Sequence, residues 1–242
     1  TLDLVPNTNY NGATPAKDNK LHYDVLKDPT ARLTAQQDGT TLAMEMVPAD
    51  AVDQLKGAGC TVDAVQGFGV RFAMFNLGKA PWDNVKVRQA CFYALDTDKM
   101  LANAFSGQAE IATSFLPSSF ANYHKASTVY THDVEKAKKL IAESGITPGD
   151  VVLRTTDNEQ VKSMATQVKN DLDALGFNVS IVSDTSPATY AAIDAVDGSW
   201  DILLAPGDPS CFGADVDLLL NWWYGDNVWM TKRCPWKESA EW

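Results

Sequence analysis

The protein has 242 residues, of which 45% are hydrophobic and 21% are charged. This mixture is typical of a folded globular chain and excludes collagen-like, disordered and coiled-coil classes. The chain has 20 Lys and Arg against 31 Asp and Glu, which gives a net charge of −11. We therefore expect it to bind neither nucleic acid nor an anionic lipid surface. No apolar run approaches the roughly 18–20 residues that span a bilayer, so any membrane anchor is expected outside this chain. The chain begins with Thr1, so we expect either a signal that has been removed or a start within a longer protein.

The first part of the chain has the pattern of a βαβαβ unit after a polar loop in residues 1–20. Strands are predicted at residues 21–26, 42–47 and 61–65, and helices at residues 29–37 and 50–56. Three short strands and two short helices are too few to cover both faces of their own sheet. We therefore expect this unit to need a partner.

The middle of the chain predicts a strand at residues 70–77, followed by two helices. Asp83 is placed to cap the first helix, at residues 85–95, and the second covers residues 97–105. Residues 108–131 are predicted to be irregular.

Residues 133–205 carry the most regular pattern. Strands are predicted at residues 150–156, 177–182 and 200–205, and helices at residues 133–144, 158–175 and 187–196. Short connections between alternating strands and helices require parallel strands with right-handed crossovers. The fold class is therefore α/β.

Ligands of open parallel sheets bind beyond the carboxyl ends of the strands, which here are residues 154–157, 183–185 and 206–209. In the third stretch, prolines flank Gly207 and Asp208 and would stiffen the backbone around one carboxylate. Such a carboxylate suits an ammonium group, although Asp208 could equally be an ordinary turn residue. Arg154 could meet a ligand carboxylate or pair with a neighbouring acid.

The segment 218–229 is dense in aromatic residues within a polar setting. Trp222 and Trp223 could line a pocket by stacking or could belong to the core. Because neighbours on a helix face different ways, we expect one of the two in the core. Cys211 and Cys234 flank this segment and could form a disulfide if the protein is exported, or could be two unrelated thiols.

The sequence offers no constellation for catalysis. The three histidines have no metal-ligand spacing, and no nucleophile motif or phosphate-binding glycine loop is present. The short run at residues 67–69 lacks the third glycine and the helix of a dinucleotide site. We therefore predict no enzyme activity, no cofactor and no metal site.

Several runs resemble the family 5 extracellular solute-binding proteins of ABC importers, the oligopeptide-, dipeptide- and nickel-binding type. These runs are Phe75-Asn76-Leu77, Lys79-Ala80-Pro81-Trp82-Asp83, Val87-Arg88-Gln89-Ala90, Tyr93-Ala94-Leu95-Asp96, Asp133-Val134-Glu135-Lys136-Ala137, Trp200-Asp201-Ile202 and Gly207-Asp208-Pro209. The resemblance extends over nearly the whole chain.

This resemblance implies a periplasmic-binding-protein-like (type II) lobe, with a mixed, largely parallel sheet flanked by helices, plus a partial second lobe. Residues 1–66 would be part of lobe I and residues 67–242 most of lobe II. The implied function is that of the substrate-binding component of an ABC transporter, which captures a solute by closure of its two lobes. Peptides are the first candidate for this solute. The component would work outside the cell membrane or in the periplasm and deliver the solute to permease subunits. Oligosaccharide or another solute remains an alternative, as does an interaction domain without a ligand; nickel is disfavoured because no histidines cluster.

The resemblance also implies a set of ligand-binding residues. In peptide-binding members, an acid at the position of Asp208, between Gly207 and Pro209, receives the ligand amine. In some dipeptide-binding members an arginine one residue from the register of Arg154 binds the ligand carboxylate. Independently of the resemblance, we expect Phe115, together with Trp222 or Trp223, to form the walls of the site.

Overall fold

The computed structural model describes residues 1–67, 69–195, 198–207, 217, 222–223 and 227–235. The chain divides into two compact units, Thr1–Ala64 and Val65–Trp242. The division falls close to the boundary expected at residue 66. The assignment of the two units to lobes stays a prediction.

The first unit contains a two-stranded antiparallel sheet and two short helices. The strands are β1 (Leu2–Leu4) and β2 (Leu21–Tyr23), and the helices are α1 (Pro29–Gln37) and α2 (Val52–Gly57), the latter preceded by a 3-10 turn at Ala49–Ala51. Helix α1 begins after Asp28, whose carboxylate accepts a hydrogen bond from the N–H of Ala31 at 2.8 Å.

The predicted βαβαβ unit is wrong. Residues 42–47 and 61–65 are not strands, and β1 lies in the expected loop. The side chain of Leu42 is 98% exposed, and Met46 has a φ of 55°, which breaks an extended backbone. Their alternating pattern is that of a half-buried strand, but a strand also needs a neighbour with which to pair. Within residues 1–64, all of which are described, only Ala51 and Leu55 are buried.

The second unit is built on a four-stranded sheet. Its strands are β3 (Val70–Phe75), β4 (Asp150–Thr156), β5 (Asn178–Asp184) and β6 (Ile202–Gly207), in the order β3-β6-β4-β5. Strand β4 is parallel to both β5 and β6, whereas β3 is antiparallel to β6. The sheet is therefore mixed and largely parallel, as the family resemblance implies.

The helices of this unit begin and end within a few residues of their predicted positions. They are α3 (Val85–Ala94), α4 (Thr97–Phe105), α5 (Val134–Ser144), α6 (Glu159–Asp173) and α7 (Ser186–Asp194), followed by a π-helical turn at Trp229–Arg233. Asn84, not Asp83, caps α3, because the Asn84 side chain accepts the N–H of Lys86 at 2.9 Å. None of the helices in the described ranges is both long enough and apolar enough to cross a membrane.

Buried residues cover both faces of the sheet. In β6, Ile202 and Leu204 join one cluster, and Leu203 and Ala205 join the other, as strand alternation requires. The larger cluster draws on α3, α5 and α6 and includes Phe75, Trp82, Val87, Cys91, Ile141, Val161, Val168 and Leu172. The smaller cluster packs on the opposite face and contains Met74, Ile193, Trp200, Leu203 and Ala205.

At the amino edge of the sheet, where the parallel strands begin, one buried carboxylate joins three parts of the chain. Asp201 accepts hydrogen bonds from Trp82 Nε1 and from the backbone N–H of Val152, both at 2.8 Å. Lys79 Nζ lies 2.8 Å from the same carboxylate. The Lys79–Asp83 and Trp200–Ile202 motifs are therefore a scaffold that fixes β4 against β6.

Candidate functional site

The site predicted from the sequence lies at the carboxyl edge of the sheet, where the parallel strands end. Strand β5 lies on one side of β4 and β6 on the other. The crossover from β4 leads through α6 to β5, and the next crossover leads from β5 through α7 back past β4 to β6. An open sheet binds ligands at such a switch point, here between β4 and β6. Because β3 is antiparallel, its first residue Val70 pairs with Gly207 at this edge.

Gly207, the last residue of β6, is buried against aromatic rings. A Cβ atom at Gly207 would lie 3.1 Å from Cε1 of Phe72 and 3.6 Å from Cζ3 of Trp222. The absence of a side chain lets both rings approach the strand end closely.

Five aromatic side chains form what we call the aromatic wall: Phe72, Phe115, Trp222, Trp223 and Trp229. Trp222 stacks on Trp229 with ring centroids 5.4 Å apart and planes 12° apart. Trp223 meets Phe72 edge-on at 4.8 Å and lies nearly parallel to Phe115 at 6.4 Å. Phe115 remains 51% exposed, so the wall offers apolar surface to a ligand.

The structure thus brings together four of the predicted site residues, namely Gly207, Phe115, Trp222 and Trp223. Trp223 packs against the smaller core cluster, in agreement with the expectation that one of the adjacent tryptophans belongs to the core. Its Nε1 is buried and has no hydrogen-bond partner among the described residues.

Arg154 pairs with a neighbouring acid, the alternative left open by the sequence. Its Nη1 lies 3.0 Å from Asp184 Oδ2, and its side chain is only 15% exposed. In the parallel register Arg154 stands beside Leu203, so it lies on the same face of the sheet as the smaller core cluster. Its ligand-binding role stays a prediction.

Thr156 ends β4 with a buried hydroxyl. The residue is 1% exposed, and its Oγ1 has no hydrogen-bond partner within the described part of the chain. The Nε of Arg154 is also buried and also has no hydrogen-bond partner among the described residues. Buried polar groups normally have partners, so these two atoms are available to hydrogen-bond a ligand or a water molecule.

Two predicted site residues, Asp208 and Pro209, lie outside the described residues, as does Cys211. Strand β6 carries the chain to Gly207, so Asp208 is the next residue along the chain. Cys234 carries a free thiol, and burial raises the pKa of this thiol to about 11.

Sequence reasoning missed three residues that support the wall. Phe72 contributes a ring from β3, and Arg233 lies over the rings of Tyr190 and Trp229. The period-two pattern of β3 could have identified Phe72 as facing this side. No local signal could have connected Arg233 to Tyr190, because the two are distant in sequence.

Within the described ranges, no group of three or more His, Cys, Asp and Glu side chains is arranged to hold a metal ion. The carboxyl edge instead combines aromatic surface, an arginine–aspartate pair and a glycine strand end. Such an arrangement is suited to binding an organic solute.

Comparisons with known proteins identify the family and the fold of this chain. Residues 1–230 match the family described as bacterial extracellular solute-binding proteins, family 5 middle. Heme-binding protein A of Haemophilus influenzae is 31% identical over 202 residues, which are 80% of this chain and 35% of that protein. The dipeptide-binding protein of Escherichia coli is 27% identical over 181 residues, which are 72% of this chain and 34% of that protein.

The fold agrees with that of a solved structure, the dipeptide-binding protein from Pseudoalteromonas sp. SM9913 in complex with Met-Leu. Its TM-score is 0.76 at 22% identity, with 90% of this chain and 43% of that chain covered. This confirms the expected fold class. The chain spans about a third of the length of the two curated relatives. The match over residues 1–230 establishes that the chain belongs to the family 5 bacterial extracellular solute-binding proteins.

Proposed function

We propose that the chain belongs to the substrate-binding component of an ABC importer, which captures a peptide outside the cell membrane or in the periplasm. The component would deliver the peptide to the transmembrane permease subunits. The family match and the dipeptide-binding relatives support this proposal.

The observation that carries the proposal is the aromatic wall beside Gly207. The wall reaches the end of β6, immediately before Asp208. A carboxylate next to exposed apolar rings suits a ligand that has both a free amine and apolar groups, as a short peptide does. The net charge of −11 also favours the approach of an amine.

Each site residue has a role in this proposal. Asp208 receives the ligand amine in a charge-assisted hydrogen bond, while Gly207 and Pro209 shape the backbone around it. Phe115, Trp222 and Trp223 contact the apolar parts of the peptide. Arg154, held by Asp184, faces the ligand carboxylate.

Capture would follow from closure of two lobes, with residues 1–66 in lobe I and residues 67–242 in lobe II. The ligand stabilises the closed state by its higher affinity for that state. Binding and release leave the peptide intact, so the component acts without catalysis. Mass spectrometry of Met-Leu after prolonged incubation with the protein should recover the dipeptide whole, and cleavage would contradict this part of the proposal.

Calorimetric titration with Met-Leu tests the amine anchor. Asp208→Asn should weaken binding by about 10- to 150-fold, because a charge-assisted hydrogen bond is worth about 1.5–3 kcal/mol. Glu135→Gln is the control, since it removes an exposed carboxylate of α5 that lies outside the three strand ends, and it should change affinity by less than about twofold. Equal affinities of Asp208→Asn and the unmutated protein would refute the anchor.

A second titration separates peptides from other solutes. The relative with 31% identity is named for haem, and stacked indole rings also suit flat or sugar ligands. Binding of haem or of an oligosaccharide without binding of Met-Leu would overturn the peptide assignment. Native mass spectrometry of the purified protein should show a co-purified peptide; an interaction domain would carry none.

A further inference from the structure

We infer that Arg233 is a positioning residue, which holds the aromatic wall in place beside Gly207 without itself contacting the ligand. A chain of side-chain contacts runs from Tyr190 through Arg233 and Trp229 to Trp222. The inference rests on the proposed function, because it concerns how the wall is prepared for a peptide.

The first step is the attachment of Arg233 to the scaffold. Its Nε lies 2.7 Å from Asp194 Oδ1 and its Nη2 lies 3.2 Å from Asp194 Oδ2, a two-pronged arrangement. Asp194 is the last residue of α7, and α7 is held on β4 by a hydrogen bond of 3.2 Å from Thr189 Oγ1 to the carbonyl of Thr155. The guanidinium is therefore tied to the sheet in a fixed orientation.

The second step is the contact between the guanidinium and the rings. Its central carbon lies 4.5 Å from the ring centroid of Trp229 and 4.9 Å from that of Tyr190. These two rings meet edge-on at 5.7 Å, with planes 83° apart. A cation over an aromatic face is attracted by the ring quadrupole, so Arg233 holds Trp229 against α7.

The third step is the contact between Trp229 and the residues of the site. Trp229 stacks on Trp222 with planes 12° apart, and Trp222 in turn lies against Gly207. The contacts thus run without a break from Asp194 at the end of α7 to the end of β6. Trp222 occupies a fixed position before a ligand arrives, which lowers the entropic cost of binding.

Arg233 itself is poorly placed to bind a ligand. Its Nε and Nη2 donate to the two carboxylate oxygens of Asp194, and its guanidinium lies over the rings of Trp229 and Tyr190. Its effect on binding must therefore pass through Trp229 and Trp222.

Three variants test the inference. Arg233→Met removes the charge and the two-pronged hydrogen bonds, and Arg233→Lys keeps the charge but loses the planar fork. Lys232→Met is the matched control, since Lys232 is the exposed neighbour in the same π-helical turn. Far-ultraviolet circular dichroism and thermal melting establish that each variant folds.

The direct readout is near-ultraviolet circular dichroism, which is intense only for indole rings held in a fixed environment. Trp222→Phe identifies the part of the signal that belongs to the wall. Arg233→Met should lose most of that part, Arg233→Lys should lose some of it, and Lys232→Met should retain it. An unchanged signal in Arg233→Met would overturn the inference.

The binding readout compares Met-Leu with Ala-Ala. Arg233→Met should weaken Met-Leu by about tenfold, because the wall must then be ordered by the ligand, and Ala-Ala by less than about twofold. An equal loss for both dipeptides would overturn the role of Arg233 in the wall. If the unmutated protein binds neither dipeptide, the proposed function fails, and the spectroscopic comparison still decides whether Arg233 orders the wall.

Discussion

The two edges of the four-stranded sheet differ in how their buried polar groups are satisfied. At the amino edge, the carboxylate of Asp201 accepts from Trp82 and Val152 and pairs with Lys79. At the carboxyl edge, Thr156 Oγ1, Arg154 Nε and Trp223 Nε1 are buried without a hydrogen-bond partner among the described residues. The buried carboxylate of the amino edge thus has its hydrogen-bond partners, whereas the carboxyl edge has buried polar groups without described partners beside exposed aromatic surface.

The same strands contribute to both edges. Val152 near the start of β4 binds Asp201, whereas Arg154 and Thr156 lie at the other end of that strand. Substitutions at the amino edge should therefore act on stability, and those at the carboxyl edge should act mainly on ligand binding.

The largest effect is expected from Asp201→Ala at the amino edge. It leaves two donors, Trp82 Nε1 and the N–H of Val152, without their acceptor, so the free energy of unfolding should fall by about 3 kcal/mol. Denaturant titration measures the change. Asp83→Asn, which alters an exposed acid next to Trp82, should stay within about 0.5 kcal/mol. A loss from Asp201→Ala below about 1 kcal/mol would mean that this edge is not the scaffold.

Gly207→Val should have the next largest effect, and on binding above all. The added side chain would meet the rings of Phe72 and Trp222, which must then move away from the strand end. We expect at least about tenfold weaker binding of Met-Leu and a stability loss of about 1–3 kcal/mol. The control is Gly149→Ala, just before β4, where a Cβ meets nothing within 4 Å. Normal Met-Leu affinity in Gly207→Val would exclude the aromatic wall from the site.

Substitutions of two adjacent threonines of β4 should have smaller effects, which change the free energy of unfolding in opposite directions. Thr156→Val replaces a buried hydroxyl that has no partner among the described residues, so it should raise the free energy of unfolding by up to about 1 kcal/mol. The hydroxyl of Thr155 donates to the carbonyl of Thr156 at 3.2 Å, so Thr155→Val should lower it by about 1 kcal/mol. Equal losses in the two variants would show that the carboxyl edge is as well satisfied as the amino edge.

The smallest expected effect is the response of the wall to acid. The hydrogen bond from Arg233 lowers the pKa of Asp194 from its ordinary value of 3.8, and the positive charges of Arg233 and Lys232 lower it further. A carboxyl group with a lowered folded-state pKa stabilises the fold fully above its unfolded value, and this contribution is lost as the pH falls through the folded value. The tryptophan signal of the wall should therefore weaken only below about pH 4. In Asp194→Asn it should be weak already at neutral pH, and an identical acid response in both proteins would contradict the role of Asp194.

The fold of the second unit was largely predictable from the sequence. The periodicity of the strands and helices and the caps at Asp133 and Asn158 set most of its element boundaries locally. The order of the strands was not predictable in this way, because the antiparallel pairing of β3 with β6 joins residues far apart in sequence. In the first unit, residues 42–47 have the alternation of a strand, but a strand forms only where another strand can pair with it.

The candidate site was predictable in part, for the same reason. The rule for carboxyl ends identified Gly207, and aromatic density identified Trp222 and Trp223. Arg233 and Tyr190 were missed because their roles depend on contacts that cross the fold.

Asp201 also sets a distance within the sheet. Its N–H donates to the carbonyl of Val152 at 3.0 Å, and its side chain accepts the N–H of Val152, so the carboxylate acts as one additional rung of the β4–β6 ladder. Six residues of β6 then lead from this rung to Gly207. One residue inserted between them would turn every later side chain of the strand to the opposite face. The length of β6 therefore fixes the position of Gly207 relative to the opposite end of the sheet.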